Sequence, residues 1–136
     1  MNITETQNEI IEEFELFDDW MDKYEHIIEI GTALPAMEAS LKTEENLVKG
    51  CQSNVWLNAE VKGGKLIFTA DSDALITKGL IGLLLRVFSG QNPNEILQSE
   101  LFFINRLGLS DHLSPNRANG LSAMVNRIKM HALATR

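Results

Sequence analysis

The chain has very little cysteine, tyrosine or proline: one, one and three residues respectively among 136. A lone cysteine excludes an internal disulfide, and with it the stapled architecture of small secreted domains. Nor can it alone supply the three or four ligands of a zinc or iron-sulfur centre. A reducing compartment is the resulting expectation. No stretch approaches the ~20 apolar residues of a membrane span, and Met1-Asn2-Ile3-Thr4-Glu5 lacks the basic region and apolar core of a secretory leader. The sequence therefore reads as soluble and cytoplasmic, with no membrane partner. Positive charge is scarce too. Twelve Lys and Arg against 19 Asp and Glu leave a formal net charge of -7, a surface that nucleic-acid phosphates would repel. Internal repeats, low-complexity tracts and interdomain linkers are absent, and at 44% hydrophobic content residues 1–136 fit one domain able to bury its own core.

The charge that is present is unevenly spread. Ten of the nineteen acidic residues fall within the first 29 positions, whereas from His112 onward there are four Arg or Lys and no acid. Solvated helix surfaces are the plain reading, and a docking surface for a protein partner is the sharper one.

Hydrophobic spacing outlines the elements. Thr4 and Gln7 have the form of a capping box, and Ile10, Phe14, Phe17, Met21, Tyr24 and Ile28 recur at intervals of three and four. This is an amphipathic helical region ending near Gly31, either one long helix or two with a cap at Asp18 or Asp19. Leu34-Pro35 stops it, and residues 36–49 form a polar connection. Residues 55–60 and 65–69 are rich in strand formers and flank Lys62-Gly63-Gly64, which predicts an antiparallel hairpin. Asp71-Ser72-Asp73 offers caps for a nearly all-apolar helix over 74–88, with Gly90 beyond its end. Asn92-Pro93-Asn94-Glu95 starts a short helix to Gln98. Ser114-Pro115 opens the last helix, with core stripe Leu121, Val125, Ile128 and Ala132. The expected fold is α+β, helices packed around one small antiparallel sheet.

Cys51 stands in Gly50-Cys51-Gln52-Ser53-Asn54, a turn-forming stretch at the mouth of the first strand. A packing cysteine favours the interior of an apolar element, so this setting makes Cys51 a candidate nucleophile, with an inert half-buried thiol as the alternative. A nucleophilic thiol near its free pKa of ~8.5 needs a cation, a helix N-terminus or a base. His26, His112 and His131 each read as surface or capping residues. Arg117 lies in the first turn of the last helix, where the helix dipole offers a cation nothing, so it is either solvated or kept for another purpose.

Three segments, Val48-Lys49-Gly50-Cys51-Gln52-Ser53-Asn54-Val55-Trp56, Asp71 to Leu80, and Leu113-Ser114-Pro115-Asn116-Arg117-Ala118-Asn119-Gly120-Leu121, together resemble the SufE family of sulfur-acceptor proteins, which includes CsdE. Tyr24 to Gly31 and Leu34-Pro35 match as well, so the resemblance covers nearly the whole chain in order. It implies an α+β fold similar to the IscU-type scaffolds. It also implies a persulfide carrier: a cysteine desulfurase passes sulfur to Cys51, which hands it to an iron-sulfur assembly scaffold. Pyridoxal phosphate belongs to the desulfurase, and the resemblance implies no cofactor for this chain. Gly50, Gln52, Ser53, Asp73 and Arg117 would control the cysteine loop or touch the partner. A resting state with Cys51 tucked against Val55 and Leu57 is expected, because an exposed persulfide is quickly lost. A homodimer stays open. So do two other classes: a thiol redox sensor, which normally wants a resolving cysteine that this chain lacks, and a non-catalytic adaptor.

Overall fold

The three-and-four spacing of the amino-terminal region resolves into two helices. A computed structural model describes residues 1–136 and places α1 at Ile3–Glu15 and α2 at Trp20–Thr32. The break is chemical. Asp19, in extended backbone, accepts from the Asp22 amide and starts α2 anew. At the first helix start the capping box is Asn2 with Glu5, not Thr4 with Gln7. Gln7 instead turns inward. Wholly buried, it donates to the Glu100 carbonyl at 3.0 Å and accepts from the Phe102 and Phe103 amides at 2.8 and 3.1 Å. A buried amide so satisfied orders a connection rather than destabilising a core. The helical restart also rotates the stripe, so that Ile27 is buried and Met21, expected in the core, is 74% exposed.

The polar connection contains one 3₁₀ turn, Ala39–Leu41, and is stapled to the last helix by the Arg127 guanidinium, which donates to the Glu45 and Leu47 carbonyls. Then comes the hairpin, β1 Val55–Lys62 and β2 Lys65–Ser72, longer than the apolar runs that announced it. Lys62 pairs with Lys65, and Gly63 and Gly64 both take positive φ (58° and 76°), the conformation a two-residue turn demands. Val55, Leu57, Leu66, Phe68 and Ala70 face the core from this two-stranded sheet.

Helix α3, Leu75–Phe88, is buried around most of its circumference, as its composition requires. It packs against β2 on one side and α2 on the other, α1 and the last helix completing its surroundings. The α2–α3 crossing is tight enough that Gly31 and Gly79 meet backbone to backbone. Helix α4, Pro93–Gln98, starts at Asn92 as its sequence predicts. Two short helices the sequence did not announce follow, α5 Phe103–Leu107 and α6 Leu109–His112. Helix α7, Pro115–Thr135, is capped by Ser114 and buries Leu121, Met124, Ile128 and Ala132. The fold is α+β.

Part of the acidic excess is structural. Arg86 of α3 reaches Glu9 at 2.7 Å and Glu13 at 3.0 Å, and Glu13 also meets His26 at 2.7 Å. Asp71, which belongs to β2 and caps nothing, binds Lys42 at 2.8 Å and Lys78 at 3.4 Å. Burial pushes both carboxyls up, but Arg86 and His26 at Glu13, and Lys42, the Ser72 amide and Lys78 at Asp71, more than reverse this. Both pKa values lie below their ordinary 4.5 and 3.8. A depressed folded-state value stabilises the fold above the unfolded pKa and loses that contribution as pH falls through the folded one. Thermal unfolding between pH 5 and pH 2 is expected to show stability falling from about the ordinary carboxyl range downward. Asp71→Asn should flatten that fall, and an unchanged slope would refute the assignment.

Candidate functional site

Gly50, with φ of 94°, turns the chain away from the connection and into the cysteine loop. The loop lies on α7. A Cβ on Gly50 would stand 3.3 Å from the Ala123 Cβ, and one on Gly120 would stand 3.4 Å from the Cys51 Sγ. Gly120 thus leaves the space that the thiol occupies. Its carbonyl receives a weak Sγ–H hydrogen bond at 3.6 Å. Shelter for Cys51 thus comes in part from α7. The thiol also packs against the apolar core, to which the wholly buried Val55 and Leu57 belong.

Cys51 is half-buried at the wall of a cleft of about 530 Å³. Gln52 and Ser53 continue that wall. Residues 74–77 and Leu80 of α3 and its start line it as well, and Ile28 and Met124 add apolar surface. Ser114, Asn116 and Arg117 bring the α7 start to the same cleft. Leu75 stands at this cleft 67% exposed, an apolar side chain left in water beside the thiol.

Hydrogen bonds, rather than core packing, hold the far end of the loop. Asp73 Oδ1 accepts from the Asn54 amide at 3.1 Å, and Oδ2 accepts from Asn54 Nδ2 at 3.0 Å. The Ser72 hydroxyl and the Asp73 amide both donate to the Asn54 carbonyl, at 2.8 and 3.3 Å. Asp73 is thus no helix cap. The N-cap of α3 is Ala74, which offers no side-chain bond, and Asp73 spends its carboxylate on the loop. Nearer the thiol, Asn116 Nδ2 donates to Gln52 Oε1 at 3.1 Å. Ser53 lines the cleft, and so does Arg117, exposed and outside every ion pair of the chain.

No histidine lines the cleft. His26 serves Glu13, and His112 stacks on Trp20 with ring centroids 3.8 Å apart. His131, expected at the surface, is half-buried edge-on to Phe68. Burial pushes the Cys51 thiol up from its ordinary value, with no neighbouring cation or base to lower it. At rest it is a protonated, weak nucleophile. Alkylation of the folded chain is accordingly expected to be slower at neutral pH than that of a denatured control. Asp73→Ala, by removing the two carboxylate bonds of the four at Asn54, should raise the rate on the order of tenfold, in line with the loss of charge-assisted hydrogen bonds. Equal rates in the wild type and Asp73→Ala would show that the clasp does not govern access.

Asn54, Asn116 and Gly120 also belong to the site, and of the three only Asn54 has a signal in the sequence. The hairpin turn fixes the register so that Val55 pairs with Ser72, and the next rung outward sets Asn54 opposite Asp73. Asn116 and Gly120 carried no such signal, because α7 meets the loop across more than sixty residues of chain.

A half-buried single thiol between two helix starts, in a loop fastened by polar bonds, defines a class of α+β protein with one presentable cysteine. The chain belongs to the SufE family: the model of that family, described as an Fe-S metabolism associated domain, matches residues 8–132. An uncharacterized SufE-like protein of Rhizobium meliloti is 42% identical over 130 residues, covering 92% of this chain and 93% of the relative. Another, of Rhizobium etli, is 41% identical over 130 residues, covering 92% of this chain and 88% of the relative. The solution structure of a hypothetical protein from Thermus thermophilus superposes with a TM-score of 0.78 at 23% identity, over 96% of this chain and 95% of that one. That likeness shows the shared fold. Membership ties the chain to iron-sulfur metabolism. No helix is long and apolar enough to cross a membrane.

Proposed function

We propose that the chain is a sulfur acceptor: it takes the terminal sulfur of a cysteine desulfurase persulfide onto Cys51, so stimulating the desulfurase, and delivers it to an iron-sulfur assembly scaffold in the cytoplasm. The observation that carries this reading is the placement of the only thiol in a loop that leans on α7 yet is fastened mainly by bonds at its own polar residues. Such a loop can shelter its cargo and still be released without opening the core.

The transfer balances without any change in overall oxidation level. The Cys51 thiol gives up its proton, and its sulfur attacks the terminal sulfur of the donor persulfide. The donor's S–S bond breaks, its electron pair leaves on the desulfurase cysteine, and a new S–S bond forms on Cys51. The donor cysteine is then free for the next turnover, which accounts for stimulation. Since the resting thiol is raised by burial, attack requires the loop to swing from Gly120 towards the partner, where the desulfurase environment can favour the thiolate. Exposed Leu75 and unpaired Arg117, both lining the cleft, suit a partner contact: an apolar anchor and a free cation at one site.

Mass spectrometry after incubation with a desulfurase and free cysteine tests the reading. One added sulfur on Cys51 is expected. An added oxygen, formed with peroxide alone, would favour the sensor instead, and an unmodified thiol in both arms the adaptor. Arg117→Ala is expected to raise the KM of the desulfurase for this acceptor on the order of tenfold while leaving the melting temperature unchanged, because an exposed arginine contributes little to folding and much to an interface. An unchanged KM would return Arg117 to a solvated charge.

A further inference from the structure

We infer that Asn116 is a positioning residue for Cys51: through Gln52 it latches the cysteine loop to the first turn of α7, and this latch opens before the Asp73 clasp. The inference rests on the sulfur-acceptor reading only for its consequence in transfer. Its ground is the unequal fastening of the loop's two ends.

At Asn54 the loop is held by four hydrogen bonds, two of them to a carboxylate. At Gln52 it is held by one neutral bond between two exposed side chains. Charge-assisted bonds are about twice as strong as neutral ones, and an exposed neutral pair exchanges readily with any competing amide or carboxylate. The weaker fastening lies next to the thiol. Once it is released, only the weak Sγ–H bond to the Gly120 carbonyl and the packing of Cys51 keep residues 51–53 from pivoting between Gly50, whose φ of 94° is already a turn conformation, and the Asn54 anchor.

The α7 side of the latch is the fixed side. Ser114 caps the turn that bears Asn116, and α6, immediately before it, is held to α2 by the Trp20–His112 stack and by the Tyr24 hydroxyl donating to the His112 carbonyl. The latch post is thus braced from another helix, and the loop is the part that moves. Arg117 follows Asn116 directly, so a partner that takes hold of Arg117 arrives at the latch as well.

Iodoacetamide alkylation of Cys51 in the full chain, without desulfurase, tests the latch. Asn116→Ala and Gln52→Ala should each raise the rate roughly two- to tenfold, the range that one neutral hydrogen bond can supply. The double variant should be no faster than either single one. Asn116→Asp should restore a slow rate, because the Gln52 amide can rotate and donate to the new carboxylate. Unchanged rates in the single variants, multiplying effects in the double, or an Asn116→Asp variant as fast as Asn116→Ala would each overturn the inference. In the sulfur-transfer assay the alanine variants should lower KM while kcat stays near wild type. If the alkylation pattern holds while wild-type protein acquires no sulfur from the desulfurase, the latch stands and the acceptor reading falls.

Discussion

Cys51→Ser is expected to fold like the wild type and to accept no sulfur at all. The serine hydroxyl fits the space left by Gly120 and can donate to the same carbonyl that the thiol approaches at 3.6 Å, so no buried polar group is stranded. The melting temperature should therefore move by no more than a few degrees, the shift of ~1 kcal/mol in a chain of this size. The chemistry has no such tolerance. Sulfur transfer needs a soft, ionisable nucleophile that can form a bond to sulfane sulfur and later surrender it, and a hydroxyl offers neither property at neutral pH. With one cysteine in the chain, no second thiol can take over. Desulfurase turnover with the serine variant should match the rate without acceptor, while binding to the desulfurase persists. Stimulation at the wild-type level would remove Cys51 from the mechanism and with it the proposed function.

What the sequence disclosed about this site, and what it hid, follows from the range of the interactions. The starts of α4 and α7 were legible because Asn92-Pro93 and Ser114-Pro115 are self-contained signals, and the hairpin because Gly63-Gly64 fixes its own turn. Only the cap reading of Asp73 misled, because two local roles compete for an aspartate just before a helix: cap of that helix, or partner of whatever the hairpin brings opposite. Here the rung beyond Val55 and Ser72 supplies Asn54, with both an amide and a side-chain donor, and the long-range pairing wins. Gln7 was misread for the same reason. Its spacing from Thr4 suits a capping box, but Asn2 holds the cap and the Gln7 amide finds three backbone partners near residue 100. The short helices α5 and α6 have too few residues to show a helical period, so they escaped notice. Cys51 itself was legible as a candidate, and the SufE resemblance of its surrounding motifs agrees with the family match. Its raised pKa was not legible, since that follows from burial, and the wall at Gly120 is brought from the far end of the chain.

The cleft also depends on a contact that no single segment announces, and Gly79→Ala is expected to damage both stability and activity through it. A Cβ at this position would lie 2.0 Å from the Ile27 carbonyl oxygen and 2.5 Å from its Cγ2. The obstacle includes main-chain atoms of α2, which cannot rotate aside as a side-chain tip can. The two helices must separate, and overpacking of that kind costs about 3 kcal/mol at the upper end of the usual range. Replacing a mid-helix glycine by alanine returns about 1 kcal/mol, so a net loss of about 2 kcal/mol remains. In a chain of this length it should lower the melting temperature by roughly 8 °C. Gly82→Ala is the internal control. The atoms nearest its Cβ would be side-chain carbons, Ile30 Cγ2 at 3.1 Å and Leu34 Cδ1 at 3.5 Å, which can adjust, so its melting temperature should hold or rise. The functional consequence follows from geometry, because Ile28 of α2 and Leu75, Ile76, Thr77 and Leu80 of α3 line the same cleft as Cys51. Separating these helices moves one wall relative to the thiol of the loop that rests on α7. Below its melting temperature, Gly79→Ala should therefore transfer sulfur more slowly than Gly82→Ala, and a Gly79→Ala protein as stable and as active as the control would show that the α2–α3 contact does not shape the site.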